Sequence, residues 1–208
     1  MAVLRNLKVF IIEATAPRDF YTRRMDGIAA RALLNILGIS NELRLVLDQK
    51  HLERALQEAR RGGYNVLHLS CHGGEDGIEI SNSDSVTWSD LSSLFQQSKF
   101  RPRAIVMSAC CGATTHVRAA FKQSSNKPEI IFGSIDRRDF GDYVVAWTLL
   151  YREFVVNGLS KASAQTALKQ IHAVGHKSFL YYRWDGTKYR VYPYNCSYNI
   201  FEVEKEAE

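Results

Sequence analysis

Apolar residues along this chain recur in two rhythms. KVFIIEA at 8–14 is a continuous β-branched run, and NVLHLSC at 65–71, AIVMSAC at 104–110 and EIIFGS at 129–134 are further apolar-rich runs of strand length. That pattern belongs to strands buried on both faces. LRLVL at 43–47 reads the same way, and GIEIS at 77–81 reads as one arm of a short hairpin. Between these runs the apolar residues take helical spacing. One helix is predicted over 23–37, stopped by Gly38, and a second over 49–60, capped by Asp48 and ended by Gly62-Gly63. Others follow Thr87 or Ser89 to about 97 and cover 114–122, 143–156 and 162–173. FLYYRW and KYRVYPY flank Asp185-Gly186, a hairpin turn signal. Strands alternating with helices predict an α/β fold, a mostly parallel central sheet flanked by helices with a C-terminal β-hairpin. No linker or repeat divides residues 1–208, so one domain is expected; the charged tail EVEKEAE is expected to fray.

Composition narrows the class. A chain of 208 residues can bury a full core without disulfides. The net charge of +5 is scattered, its densest cluster being Arg137-Arg138, and no basic stripe interleaves with aromatics. Nucleic acid is therefore not an expected partner. The start, MAVLRNLKVFIIEA, holds only a strand-length apolar run, and no stretch approaches the ~18 apolar residues of a membrane span. Two of the four cysteines (71, 110, 111, 196) sit in strand-like text, so a reduced, cytoplasmic protein is expected.

Two strands end in reactive residues, VLHLSC followed by His72-Gly73-Gly74 and AIVMSA followed by Cys110-Cys111-Gly112. In open α/β sheets, sites gather beyond the carboxyl ends of the strands. If those strands are neighbours, His72 and Cys110 face one another. An imidazole that takes the thiol proton makes a strong nucleophile. The backbone N–H groups of Gly73 and Cys110 would then form an oxyanion hole. Cys71 and His68 read as core, and Cys111 should face away from Cys110, as neighbours on a strand do.

Strand-His-Gly followed by strand-Ser-Ala-Cys resembles the caspase-like (clan CD) cysteine peptidases, and especially the bacterial CHAT-domain branch. LHLSCHG and IVMSACCG carry that resemblance, together with the run from Arg23 to LLNILGI and the stretch from IIFGSIDRRD through FVVNGLSKASAQTALKQ. The 38-residue separation of His72 and Cys110 is shorter than the ~50 of caspases. The resemblance implies a caspase-like sandwich and a cysteine endopeptidase with Cys110 as nucleophile and His72 as base. It implies protein substrates, no cofactor, and a bacterial defence effector switched on by a partner or signal. Two residues before the nucleophile, caspases carry Gln and arginine-specific relatives carry Asp, whereas Ser108 here favours neither. Arg18, Arg23 and Arg24 could receive an acidic side chain before the scissile bond, or an anionic small-molecule signal. Asp19 and Asp26, or Asp136, Asp139 and Asp142, could receive a basic one. Ser108, Asp136 and Arg24 are thus candidate substrate-binding residues. The charged segments 14–26 and 135–142 read as loops suited to ordering by an activator. No third member of the catalytic group is evident.

Zinc is disfavoured, because adjacent strand residues such as Cys71-His72 point to opposite faces and cannot easily share an ion. The remaining alternative is a catalytically silent caspase-like module that binds a partner or small ligand.

Overall fold

The computed structural model describes residues 7–81 and 84–192. Residues 193 and 194 of KYRVYPY, Cys196 and the EVEKEAE tail lie outside them. The first strand, β1 (Lys8–Ala14), shows why apolar runs become central strands: Phe10 and Ile12 enter one core, Val9 and Ile11 the other. Each of these four side chains is at most 1% exposed, and burial of such a side chain contributes about 2 kcal/mol.

The strands line up as β2 (Ser40–Leu45), β1, β3 (Val66–Gly73), β6 (Ala104–Ser108), β7 (Ile130–Ser134), β8 (Phe179–Trp184) and β9 (Tyr189–Tyr192). The first five run parallel; β8 and β9 are antiparallel and form the expected C-terminal hairpin. A second hairpin, β4 (Gly77–Ile80) and β5 (Asp84–Thr87), pairs with the end of β3. Three helices, α3 (Gln49–Arg61), α4 (Trp88–Ser98) and α5 (Thr115–Gln123), cover one face. Their buried stripes meet Phe10, Leu67, Leu69 and Met107. The other face is covered by α2 (Asp26–Ile36), α6 (Phe140–Asn157) and α7 (Lys161–Ala173), packed on Val66, Val106 and Phe132.

Asp48 caps α3 by accepting from the His51 N–H at 2.7 Å, and Thr87 caps α4 by accepting from Asp90. The helix expected over 23–37 is α2, which starts only at Asp26, and a separate short helix precedes it in the segment read as a loop. A short α1 (Pro17–Thr22) starts with Pro17 in its first turn, where the missing N–H costs nothing, and Arg23 in the left-handed region (φ 58°) ends it. The second strand spans Ser40–Leu45 rather than 43–47, because it pairs with β1 from Lys8 onward.

Candidate active site

The ends of β3 and β6 define the site. They are adjacent and parallel, with Ser70 opposite Ser108. Past that register the strands behave differently. β3 continues through His72 and Gly73 because β4 pairs with it there, His72 opposite Glu79 and Gly73 opposite Ile78. β6 stops at Ser108 instead of reaching Cys110, and the chain turns. The Gly112 N–H bonds Ala109 O at 3.1 Å, and Cys111 takes a left-handed φ of 58°.

That turn is seated on β7 and β8. The Cys111 N–H donates to Asp136 O (3.2 Å), the Ala113 N–H to Ser134 O (2.9 Å), and the Tyr182 hydroxyl to Ala113 O (2.7 Å). Cys111 is turned inward by this backbone kink rather than by strand alternation. It is 7% exposed, and burial pushes its thiol up to about 11. Cys71 is likewise pushed well up by burial. Cys110 alone of these three is only half-buried, with its Sγ 3.7 Å from Arg138 O.

Gly73 shows how closely the two ends meet. A Cβ there would stand 2.3 Å from Cys110 O and 3.1 Å from Cys110 N. The Gly74 N–H bonds Gly77 O at 2.9 Å, so residues 74 and 77 form a hydrogen-bonded pair. By antiparallel alternation Gly73 and Ile78 are a non-hydrogen-bonded pair, which leaves the Gly73 N–H unused by β4. Among the described residues the Cys110 N–H has no acceptor either.

His72 and Cys110 line one pocket of about 400 Å³, with Ser108 and Cys71 also in its lining. His72 Nε2 lies 2.5 Å from Asp19 Oδ2, and the imidazole packs edge-on against Phe140 at 6.1 Å. Asp19 therefore supplies the carboxylate partner that the sequence did not reveal. Its only sequence trace is Pro17, which starts the short helix carrying it over the end of β3.

The remaining candidates separate. Arg24 lines the pocket with its guanidinium 5.4 Å from the centre of the Phe140 ring, and Arg18 lines it too. Asp136 does not line it. Its carboxylate is held by the Arg138 guanidinium at 2.6 and 2.9 Å and by the Ser134 hydroxyl. Burial works to raise the Asp136 pKa, but the hydrogen bonds from Arg138, Ser134 and Ser178 and the Arg138 charge together outweigh it and hold the carboxyl below the ordinary value. Asp139 lines the pocket, whereas Asp142 does not and faces Arg138 and His176. Both charged segments are thus tied into the fold, 14–26 through α1 and 135–142 through Asp136 and Arg138.

Beneath the pocket two carboxyl groups are buried. Glu13 accepts from the Thr15 hydroxyl and the Gly27 N–H at 2.6 Å each and from the Ser70 hydroxyl at 2.9 Å. Asp26 meets the hydroxyls of both Ser70 and Ser108. Burial raises both pKa values, and with Glu13 beside it Asp26 rises to about 7. His68 is fully buried one layer away, within 3.0 Å of the Tyr151 hydroxyl, and burial pushes its pKa down to about 3. Among the described residues no group of His, Cys, Asp and Glu is arranged to hold a metal ion, and no helix is long and apolar enough to cross a membrane.

No protein-family model and no curated protein sequence matches this chain. Its fold does have relatives. The secreted cysteine protease "iotapain" of Bacteroides thetaiotaomicron superposes with a TM-score of 0.60 at 8% identity, over 86% of this chain and 66% of that one. The complex of pro- and mature domains of RgpB from Porphyromonas gingivalis gives 0.54 at 13% identity, over 83% and 44%. The Arg-specific cysteine proteinase gingipain R gives 0.54 at 14% identity, over 85% and 46%. This chain spans under half the length of the two gingipain chains. What it shares with these structures is the clan CD, caspase-like fold.

Proposed function

We propose that this chain, built on the clan CD fold, is a cysteine endopeptidase with Cys110 as nucleophile, His72 as general base and Asp19 as the group that orients His72. The observation that carries the reading is the meeting of the two strand ends. His72-Gly73 abuts the backbone of the half-buried Cys110 in one pocket, while the neighbouring thiols are buried. Since Nε2 is occupied by Asp19, Nδ1 is the ring nitrogen left for the thiol.

The Cys110 thiol gives its proton to His72, and the thiolate attacks the scissile carbonyl carbon. The oxyanion formed accepts from the free N–H groups of Gly73 and Cys110. His72 returns the proton to the leaving nitrogen as the C–N bond breaks. A water, deprotonated by the same imidazole, then cleaves the thioester. Asp19 stabilises the imidazolium present in both steps.

Within this reading Ser108 in the pocket lining and Arg24 against Phe140 meet the substrate side chain before the scissile bond; Asp136, taken by Arg138, does not. The LHLSCHG and IVMSACCG blocks support the CHAT branch as the subfamily, and with it a switched effector that responds to a partner or signal.

The test is a peptide-library cleavage profile with the single variants. Cys110→Ala and His72→Ala should abolish cleavage, and Cys111→Ala should retain it. Retained turnover in Cys110→Ala removes the assignment. A wild-type chain that cleaves nothing, across the library and with cell extract added, favours the silent module.

A further inference from the structure

Both reactive strand ends carry a serine two residues before the reactive side chain, Ser70 before His72 and Ser108 before Cys110. The two serines are register partners on β3 and β6, and both hydroxyls converge on Asp26 at the start of α2. Residues two apart on a strand share a face, so whatever holds Ser70 also sets the height of His72. We propose that Asp26 is a positioning residue for His72 and Cys110, tying the ends of β3 and β6 together through Ser70 and Ser108 as a neutral carboxylic acid. The inference rests on the Cys–His reading above.

Counting protons requires the neutral form. Ser70 Oγ touches both Glu13 Oε2 and Asp26 Oδ1, yet a hydroxyl has one proton to give. With both acids ionised, one of those contacts would set an oxygen lone pair against a carboxylate. A proton on one carboxyl removes the conflict. Glu13 already receives three donors, the Thr15 hydroxyl, the Gly27 N–H and the Ser70 hydroxyl, and these favour its anion. Asp26 then carries the proton on Oδ1, donates it to Ser70 Oγ, and accepts the Ser108 hydroxyl on Oδ2. The chain Ser108–Asp26–Ser70–Glu13 thereby becomes fully paired and directional. The rise of the Asp26 pKa to about 7, caused by burial and by Glu13, agrees with this placement.

The titratable groups around it are Glu13 from β1, Cys71 from β3 and Tyr151 from α6, with Asp19 of α1 facing Glu13. His68 of β3 stays neutral in this layer, and among the described residues none of the main influences on Glu13 or Asp26 is a cation. At 4% exposure Asp26 does not line the pocket, so it acts only through the serines.

The experiment is the pH dependence of Cys110 alkylation by iodoacetamide in a Cys111→Ala background, followed on the Cys110 peptide by mass spectrometry. It needs no peptide substrate. Wild type should react many-fold faster at pH 7 than His72→Ala. Asp26→Asn replaces the O–H donor by an amide N–H and keeps the acceptor, and should keep the wild-type rate across the pH range. Asp26→Ala should react roughly tenfold more slowly near neutrality. The Ser70→Ala/Ser108→Ala pair should do the same, and it carries the test should Asp26→Ala fail to fold. An unchanged rate in Asp26→Ala and in the serine pair overturns the tie while leaving the Cys–His pair standing. An Asn variant as impaired as Ala shows that the ionised carboxylate is what matters and overturns the neutral-acid assignment. A wild-type rate equal to that of His72→Ala removes the Cys–His pair, and with it the role given to Asp26.

Discussion

Replacing Gly73 by alanine adds one methyl group at the tightest point of the site. The new Cβ would lie 2.3 Å from Cys110 O, about 1 Å inside an ordinary C···O contact of about 3.3 Å. Nothing flexible can yield, because the opposing atoms are backbone O and N of Cys110 and the Cβ of Ala109. Either the turn that carries Cys110 or the end of β3 must therefore move by about that distance. A 1 Å misplacement of reacting groups is enough to cost about 100-fold in rate, or about 2.7 kcal/mol of barrier. Gly74 is the internal control, since a Cβ there meets nothing within 4 Å and its φ lies outside the left-handed region. The assay is kcat/KM on the best library peptide alongside the Cys110 alkylation rate, with thermal denaturation to check the fold. Gly73→Ala should lose about two orders of magnitude in turnover, and Gly74→Ala should stay within a few-fold of wild type. A Gly73→Ala variant with wild-type turnover and alkylation would refute the close approach of the two strand ends.

Asp19→Asn should lower kcat about tenfold or more with little change in KM, because the amide keeps the shape and loses the charge facing His72; equal kcat would show that Asp19 only packs there. His68→Leu should leave Cys110 alkylation unchanged while removing the Tyr151 contact; loss of alkylation in a folded variant would contradict its placement in the core. The two buried titrations act on stability in opposite directions, read by urea melts from pH 4 to 6.5. His68, neutral in the fold with a pKa near 3, makes stability fall as pH drops below about 6.5, because only the unfolded chain then binds the proton. Asp26, with its pKa raised to about 7, makes stability fall as pH rises from about 3.8 to 7, because only the folded chain then keeps the proton. Asp26→Asn should therefore steepen the gain in stability with rising pH, and His68→Leu should reverse it; identical slopes in both variants would contradict the buried assignments.

The main strands were readable because apolar runs mark them along the chain. β1 was bounded correctly at both ends, whereas the adjacency of β3 and β6 stood in the sequence only as a condition, which the sheet order meets. Tertiary pairing decided what the pattern could not. His72 and Gly73 belong to β3 because β4 zips onto them, whereas AIVMSAC stops being a strand at Ser108 because the turn finds partners on β7. The segment 14–26 read as a loop, and Pro17 starts a short helix within it. Asp19 and Asp26 read as loop charges that could receive a basic side chain, and Glu13 drew no reading, since nothing local distinguishes a carboxylate facing water from one meeting serines on neighbouring strands. Their roles come from distances spanning 14 to 82 residues of chain, from Glu13–Gly27 to Asp26–Ser108.

The bonds that seat the Cys110 turn bear on when, during synthesis, the candidate site takes its final shape. The turn rests on Ser134 and Asp136, the Ile135 N–H is fixed to Ser178 O, and the Tyr182 hydroxyl closes over Ala113. A nascent chain emerges from its amino end, so His72 and Cys110 are made well before the strand that completes their support. Until β8 docks against β7, the turn that carries Cys110 lacks the partners that hold it in place. Synthesis order thus sets assembly order: the two strand ends come first, and the pocket between them takes its shape only once β8 has followed.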